Sequence, residues 1–428
     1  MLVEFDFGNF RSFKEEASFS MEPLSQNGDN INVIGTNLKR IPQLFRTSGI
    51  FGANASGKSN ILMALKFVAF VVRNSSKSII EDEFPEEYYA LSENGKNVPM
   101  TFTIKFIVDS LLYEYSFSLS RVAVEYESLY CYDISETGSN KANRIFERQY
   151  IDGKSIFKKS AGILQSWCNE VIDNRLFLSD IVNNRKCKLK EIQVAYDWIV
   201  NKLRVVDAHK LTEGLSLKLI SEGNGDHIVD VMKKADLGLE KILVKEISLD
   251  EILQKAKDQN TKIPLSVIKA ITEKRGKVFD AKSYHKTEEG DLKEFDFNDM
   301  ESDGTKNFLA LIGPVLDVLK EGKILVVDEM DDALHPYLVR YLIDLFNSPK
   351  ANKNNAQFIF TSHAHYLMDG IHLTRDQIWL TAKDLNGGFS SSLYSLSDFK
   401  DVLKRKNISF QEAYLDGIYG AVPNVEIF

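Results

Sequence analysis

Apolar and polar residues alternate with different periods along the chain, and the first part of it has the pattern of strands. Residues 2–7 alternate apolar with charged side chains, as in a half-buried strand, and residues 17–21 can form its antiparallel partner. Residues 47–51 predict a buried strand that enters a glycine-rich loop, and an apolar-periodic helix follows. Residues 98–132 and 144–158 then predict hairpins joined by tight turns, which indicates an antiparallel β layer.

Beyond residue 160 the apolar spacing changes to that of helices. Apolar residues recur at three- and four-residue intervals to about residue 273, with one helix ending at Gly238 and two short helices at 249–257 and 265–274. No heptad pattern persists, which argues against long coiled-coil arms. Residues 277–299 are rich in charged side chains and predict exposed strands or a linker.

The last part of the chain alternates helices with apolar strands. Helices are predicted at 308–319 and 335–345, and strands at 323–327, 357–361 and 377–381. Apolar strands separated by helices are typical of a parallel sheet that is covered on both faces. The sequence therefore predicts an α/β core whose two halves are separated by a long insertion.

The glycine-rich loop at residues 52–59 fits the phosphate-binding pattern G-x-x-x-x-G-K-[ST]. Small residues let successive backbone N–H groups surround a phosphate, and the helix N-terminus adds its partial positive charge. Lys58 can neutralise β- and γ-phosphate oxygens, and the Ser59 hydroxyl can bind Mg²⁺. The candidate nucleotide-binding residues of this loop are Gly52, Asn54, Ala55, Ser56, Gly57, Lys58, Ser59 and Asn60.

Two of the predicted strands end in polar residues that suit hydrolysis of a nucleotide. Asp328 and Glu329 follow an apolar strand, at the carboxyl end where open α/β sheets bind ligands. Asp328 would hold Mg²⁺ or its water, and Glu329 would activate or position the attacking water. His363 follows the next strand and can donate to a γ-phosphate oxygen or to the water. The candidate catalytic residues are Lys58, Glu329 and His363.

A second anion site is predicted where residues 301–306, Glu-Ser-Asp-Gly-Thr-Lys, precede an apolar helix. Ser302 and the backbone of Gly304 lie at the start of this helix, where the helix dipole and the backbone N–H groups attract anions. Such a site is redundant within a chain that already has a phosphate loop.

Composition and charge restrict the partners that we expect. The 428 residues carry a net charge of −8, so the field of the whole molecule would repel nucleic acid, and DNA binding is not supported by the net charge. Three widely spaced cysteines lack a C-x-x-C pair, which fits a reducing cytosol and argues against structural zinc. No apolar run is long enough to span a bilayer and no secretory signal is evident, so we expect a cytoplasmic protein without a membrane partner.

The order of these motifs resembles the ATP-binding-cassette (ABC) ATPases, specifically their RecF-like branch of chromosome maintenance and recombination. Residues 51–60, 301–306, 331–336 and 414–423 are also similar to the AAA-type ATPases of bacterial anti-phage operons, the abortive-infection AbiL/RloA kind. The similarity is strong at both ends of the chain and loose in the middle. The Leu-Ser-Gly-Gly-Gln signature of transporters is absent, and no glutamine loop is assigned.

This resemblance implies a homo-oligomer with an even number of subunits, in which two ATP molecules lie head to tail between two subunits. Lys58 and Glu329 of one subunit would then face the signature residues of the other. The further residue roles that it implies are an in trans signature at Ser302, Gly304 and Lys306, a dimer seam at Asp331 and Asp332, and a basic residue beside the nucleotide, Arg11.

The fold class predicted from residues and resemblance together is α/β, a P-loop ABC-type ATPase core split by a large β-then-α insertion. Its expected parts are residues 1–75 with the phosphate loop, 76–160 as an antiparallel β layer, 161–295 as a mainly helical insertion, and 296–428 with the signature, the Asp-Glu pair and the histidine.

Our leading hypothesis is an ATP-hydrolysing regulatory subunit of an anti-phage system, with ATP and Mg²⁺ as cofactors, that controls a separately encoded effector such as a nuclease. The effector would be separate because the residues after His363 hold no second acidic cluster large enough for a nuclease domain. One alternative is a DNA-repair or chromosome-maintenance ATPase that acts directly on DNA. The basic residues at 185–190 favour this alternative. The other is an assembly scaffold that binds ATP and hydrolyses it slowly.

Overall fold

A computed structural model describes residues 1–24, 32–135, 137–138, 141–235, 238–248, 251, 278–331, 334–384, 388–399 and 408–423. The helices expected at 249–257 and 265–274 lie outside the described residues, apart from residue 251. The chain divides into two compact units, which are unit 1 (Met1–Val206, Leu319–Met330 and Ile343–Phe428) and unit 2 (Asp207–Val318 and Asp331–Leu342).

Unit 1 contains a six-stranded sheet whose central strands are parallel, and this confirms the predicted α/β fold. The strand Thr47–Gly52, which enters the phosphate loop, and its neighbour Gln357–Ser362 are buried along their whole length, which explains why these segments are mostly apolar. Across the sheet, the strands are Leu203–Asp207, Ile324–Asp328, Gln357–Ser362, Thr47–Gly52, Ile378–Lys383 and Ser391–Ser395. The strands Ile378–Lys383 and Ser391–Ser395 at one edge of the sheet pair antiparallel.

The register of the central strands brings their carboxyl ends to the same edge. Phe360 pairs with Val327 on one side and with Gly49 on the other. The chain therefore leaves the sheet at one edge after each of these three strands. The phosphate loop, Glu329 and His363 all follow that edge.

The helix Lys58–Asn74 begins in the phosphate loop and contributes to a core that it shares with both large sheets of unit 1. Its Phe67 ring lies 5.5 Å from the ring of Phe10 and 5.3 Å from that of Phe102. Phe102 belongs to the second, antiparallel sheet. Buried apolar contacts thus fix the helix in unit 1, and with it the position of the phosphate loop at its start.

The antiparallel sheet of unit 1 has seven strands, of which five lie between residues 100 and 159. Val108 pairs with Leu111 across the predicted turn, and Glu4 pairs with Ser20 in the predicted N-terminal hairpin. In order, the strands are Lys154–Lys159, Ala142–Ile151, Val124–Asp133, Leu111–Leu119, Met100–Val108, Leu2–Gly8 and Ala17–Ser20. A small hairpin consists of Val33–Gly35 and Gln43–Phe45.

A buried carboxylate connects this sheet to a short helix. Glu127 accepts hydrogen bonds from the backbone N–H groups of Phe177 at 2.6 Å and Leu178 at 2.9 Å, and from the hydroxyl of Tyr115 at 2.9 Å. Burial raises the pKa of Glu127, and the Arg148 guanidinium and these hydrogen bonds oppose that shift. Unit 1 also contains the helices Gln165–Glu170, Phe177–Asn183, Lys190–Asp197 and Phe410–Leu415.

Unit 2 contains a three-stranded antiparallel sheet with the order Lys241–Ile247, Val278–Lys286, Leu292–Asp296. The charged segment, for which exposed strands or a linker were expected, forms two strands, of which Leu292–Asp296 is largely exposed and Val278–Lys286 is half-buried. Two other strands, Lys241–Ile247 here and Leu203–Asp207 in unit 1, fall in the stretch that was expected to be mainly helical. Both are short, and their conformation depends on pairing within the sheets that they join rather than on local apolar spacing.

The long helix Asp303–Glu321, which lies in unit 2 except for its last turn, contains Pro314. The Ser216 hydroxyl accepts a hydrogen bond from the Gly313 N–H at 3.0 Å and donates one to the Leu309 carbonyl, so it replaces a bond of the helix at this point. The other helices of unit 2 are Gly214–Leu219, Asp226–Lys234 and Phe297–Met300, and Pro336–Asn347 begins in unit 2 and ends in unit 1. Among the described residues, no helix is long and apolar enough to cross a membrane.

Candidate nucleotide site

The backbone of the phosphate loop adopts conformations that favour small residues. Gly52, Ala55 and Gly57 have φ angles of 154°, 59° and 111°. A Cβ atom on Gly57 would lie 2.5 Å from the Ser391 hydroxyl oxygen and 2.9 Å from that of Ser12, so no larger residue fits without movement. The helix begins at the next residue, which places its N-terminus at the loop as phosphate binding requires.

Lys58 is held over the loop by the loop's own backbone. Its ammonium group donates to the carbonyl oxygens of Gly52 and Ala53, each at 3.0 Å. Only 5% of Lys58 is exposed. A buried ammonium group with fixed carbonyl partners is pre-positioned for the phosphate oxygens that this loop would bind.

Side chains from other strands brace the loop. The Ser56 hydroxyl lies 2.5 Å from that of Thr381, on the neighbouring strand. Asn60 donates to the Ser12 hydroxyl oxygen at 2.7 Å, and the Ser391 hydroxyl donates to the same oxygen at 2.8 Å. The structure thus gives Ser56 and Asn60 partners within the protein, and the N-terminal turn is tied to the start of the helix.

The Asp-Glu pair is positioned by one buried threonine. The Thr361 hydroxyl donates to Asp328 Oδ1 at 2.6 Å and accepts from the Glu329 backbone N–H at 2.8 Å. Glu329 has a φ angle of 53°, which is uncommon for a residue other than glycine and is held here by the surrounding bonds. Thr361 therefore fixes both the orientation of the Asp328 carboxylate and the direction in which Glu329 leaves the strand.

His363 leaves the same edge of the sheet one strand away. The strand before it is buried, while the side chain of His363 is exposed. The Ser362 hydroxyl accepts from the Ala364 N–H at 2.9 Å, and the His363 carbonyl accepts from the His365 N–H at 2.9 Å. These bonds form a compact turn that directs the imidazole away from the core.

The predicted signature starts the helix Asp303–Glu321 in unit 2. Ser302 caps this helix, since its hydroxyl oxygen accepts from the Thr305 N–H at 3.2 Å. Lys306 donates to the Asn298 carbonyl at 2.6 Å. Ser302 and Asp303 are exposed and Gly304 is half-buried, so the start of the helix is open to other molecules.

Glu301 connects the signature to the three-stranded sheet. Its carboxylate lies 2.7 Å from Nε2 of His285, and Nδ1 of the same imidazole lies 2.9 Å from the Gly238 carbonyl oxygen. Both partners are hydrogen-bond acceptors, so a protonated His285 can donate to each of them. Glu301 is 9% exposed, in contrast to the exposed residue that follows it.

Comparison with known families agrees with this set of motifs. A family model described as "AAA domain, putative AbiEii toxin, Type IV TA system" matches residues 48–180 and 196–369. The chain belongs to this AAA domain family. The matched ranges include the phosphate loop, the signature, the Asp-Glu pair and His363. A search of the curated proteins finds no significant match to the chain.

Other predicted residues of this AAA domain have partners that the sequence did not indicate. Arg11 forms a two-point ion pair with Glu87, at 2.6 Å and 3.1 Å, and its φ angle is 49°. Its neighbour Ser12 contacts the phosphate-loop helix through Asn60. A role of Arg11 beside the nucleotide stays a prediction.

The predicted dimer seam is only partly described. Asp331 is half-buried and follows Met330, whose N–H donates to the Thr361 carbonyl at 3.2 Å. Asp332 lies outside the described residues. The seam stays a prediction for both aspartates.

The oxygen donors of Ser59 and Asp328 fit Mg²⁺ rather than a transition metal. Mg²⁺ prefers hard oxygen ligands and usually takes one or two from protein side chains, with phosphates and waters as the rest. Thr361 orients the Asp328 carboxylate for this task. Within the described residues, no group of three or more His, Cys, Asp or Glu side chains forms an all-protein metal site.

Proposed function

We propose that the chain binds ATP with Mg²⁺ and hydrolyses it to ADP and phosphate. The observation that carries this proposal is the bracing of Asp328 and Glu329 by Thr361 at the sheet edge where the phosphate loop also begins. Membership of the AAA domain family supports the same activity.

In the proposed reaction, each residue has a separate task. The loop N–H groups and Lys58 bind β- and γ-phosphate oxygens and hold the terminal phosphoryl group for in-line attack. Glu329 accepts a proton from the attacking water as the water oxygen bonds to the γ-phosphorus and the bond to the β-phosphate oxygen breaks. His363 donates to a γ-phosphate oxygen. Mg²⁺, held through Ser59 and Asp328, would neutralise charge on the phosphates.

The proposal extends to an oligomer with an even number of subunits, in which the signature of one subunit completes the site of another. The exposed start of the helix Asp303–Glu321 supports this extension, because an exposed helix N-terminus can reach a phosphate on a second molecule. Ser302, Gly304 and Lys306 would contact the γ-phosphate in trans. ATP would then hold the subunits together, and hydrolysis would release them.

The biological role that we propose is regulation of a separately encoded effector, such as a nuclease, in defence against phage. Its support is the resemblance to ATPases of anti-phage operons, together with a family description that names the AbiEii toxin and a type IV toxin–antitoxin system. Direct action on DNA is the competing role. Stimulation of the ATPase by duplex DNA that weakens with added salt would favour that role over a protein trigger.

The substitution Glu329→Gln tests the proposed activity. It keeps the size and hydrogen-bonding capacity of the side chain and removes its ability to accept a proton. We expect steady-state ATP hydrolysis to fall by about 100-fold or more, with ATP binding retained and an ATP-dependent oligomer that persists on gel filtration. Glu15→Gln, at an exposed position of unit 1, is the matched control and should hydrolyse ATP at the parent rate. Equal turnover by the parent and Glu329→Gln would contradict the proposed activity.

A further inference from the structure

The segment near the C-terminus packs as an ordered part of unit 1. Its helix Phe410–Leu415 starts with a capping box, in which Ser409 and Glu412 exchange backbone-to-side-chain bonds of 2.9 Å and 3.2 Å. After the helix, Gly417 and Gly420 have φ angles of 72° and 71°, which allow two close turns. The family match ends at residue 369, so the family match assigns no role to this segment.

One residue of this segment bonds directly to the phosphate loop. The carbonyl oxygen of Ala421 accepts the Ala53 N–H at 2.9 Å. The N–H of Ala53 belongs to the same peptide group as the carbonyl oxygen of Gly52. That oxygen accepts a hydrogen bond from the Lys58 ammonium group at 3.0 Å. The peptide between Gly52 and Ala53 is therefore held on one side by Ala421 and on the other by Lys58.

Buried contacts keep Ala421 in this position. Tyr419 and Ala421 are 2% and 1% exposed. The Tyr394 hydroxyl donates to the Tyr419 carbonyl at 2.6 Å, and the Phe399 and Tyr419 rings lie 5.1 Å apart. Burial raises the pKa of Tyr394 to about 12, so its hydroxyl remains a donor at neutral pH. Tyr394 lies on the strand Ser391–Ser395, whose Ser391 donates to the Ser12 hydroxyl that also accepts from Asn60.

We infer that residues 409–423 form a positioning segment for the phosphate loop, which holds Lys58 through the peptide between Gly52 and Ala53 and so sets the affinity for ATP. The segment would act through the loop and not by contact with a phosphate. The inference rests on the proposed function, because it assumes that the loop binds ATP. It places the control of ATP affinity in a part of the chain that lies outside the family match.

The inference is tested with two variants of the full chain and a control. Ala421→Leu enlarges a side chain that has no space and should displace the segment from Ala53. We expect the Kd and KM for ATP to rise about tenfold, with kcat changed by less than about twofold. Tyr394→Phe removes only the hydroxyl that holds Tyr419 and should raise both constants about threefold. Leu415→Ala, 55% exposed on the same segment, should leave both unchanged.

Hydrogen exchange supplies the second measurement. The amide of Ala53 should exchange faster in Ala421→Leu and in Tyr394→Phe than in the parent, while thermal unfolding of Tyr394→Phe stays close to that of the parent. If Ala421→Leu does not fold, the Kd for ATP and the exchange rate of the Ala53 amide in Tyr394→Phe test the inference. An unchanged Kd in Tyr394→Phe together with faster exchange at Ala53 would overturn the positioning role. A parent chain that binds no ATP would instead overturn the proposed function.

Discussion

The two halves of the proposed ATP site, one in each unit, differ in how far along the chain the hydrogen-bond partners of their residues lie. In unit 1 the contacts that brace Asp328 and Ser56 are distant in sequence, since Thr361 lies 33 residues from Asp328, and Thr381 lies 325 residues from Ser56. In these cases neighbouring parallel strands bring the partners together. The site residues of unit 1 are therefore fixed by the same packing that forms the core.

In unit 2 the contacts of the signature are local. Ser302 bonds to a residue three positions away, and Lys306 to a carbonyl eight positions away. The longest link is that of Glu301 to His285, at a separation of 16 residues. A helix start with local bracing and an exposed face can accept a second molecule without disturbing a core. Under the proposed function, unit 1 would therefore supply the half of the site that is fixed by core packing, and unit 2 would supply the half that is accessible to a second subunit.

The largest effect within this comparison is expected from Thr361→Val, which keeps the shape of the side chain and removes its hydroxyl. Asp328 loses a charge-assisted hydrogen bond and Glu329 loses the acceptor of its N–H. We expect kcat for ATP hydrolysis to fall about 10- to 100-fold, with the Kd for ATP changed by less than about threefold. Thr361→Ser, which retains the hydroxyl, should recover most of the activity. Equal kcat values for the valine and serine variants would show that the distant brace does not matter for hydrolysis.

A smaller effect is expected from His285→Gln in unit 2. A glutamine cannot bond to Glu301 and to the Gly238 carbonyl in the same geometry, so the start of the signature should loosen. We expect ATPase activity to fall about three- to fivefold at unchanged Kd for ATP, because only one partly buried link is weakened. His227→Gln, at an exposed position of the same unit, should have no effect. A loss as large as that of Thr361→Val would remove the distinction between the two halves.

The smallest expected effect concerns the stability of unit 1 and its dependence on pH. Burial raises the pKa of Asp6 to about 6; the hydrogen bond to Ser18 opposes this shift and Glu4 adds to it. Between about pH 4 and pH 6 the folded protein keeps a proton that the unfolded chain has lost, so this group lowers stability as the pH rises through that window. Asp6→Asn should therefore unfold at a higher temperature than the parent near pH 8, and the gap should narrow near pH 4.

The control for this measurement is Asp291→Asn, at an exposed position of unit 2. It should follow the parent at both pH values. A constant difference between Asp6→Asn and the parent across this range would show that Asp6 does not titrate in the expected window.

Residues at the ends of buried strands were predictable from the sequence, and their partners were not. The carboxyl end of the strand before Asp328 and Glu329 can be recognised from the sequence, because charged residues are excluded from the interior of a parallel sheet. The role of Thr361 could not be predicted in this way, since a threonine at the end of an apolar strand is compatible with many different contacts. Its role depends on the register between two strands, which the sequence pattern does not specify.

The same limit applies to contacts that cross the whole chain. The hydrogen bond between Ala53 and Ala421 involves only backbone atoms, so no residue type in the sequence could have predicted it. The strands Leu203–Asp207 and Lys241–Ile247 are short segments within helical surroundings, and their identity depends on the sheets that they join. Local patterns thus predict elements and motifs, while tertiary packing decides which side chains brace them.

The most direct test of the composite site mixes two inactive variants. Lys58→Ala removes phosphate binding by the loop, and Ser302→Asp keeps a good helix cap while its negative charge repels a phosphate. Each variant alone should hydrolyse little ATP. In an equal mixture, half of the dimers would pair the two variants and contain one intact site of two, so about a quarter of the parent activity should return. Mixed dimers that form, as shown by co-purification of two tags, but regain no ATPase activity would contradict a site shared between subunits.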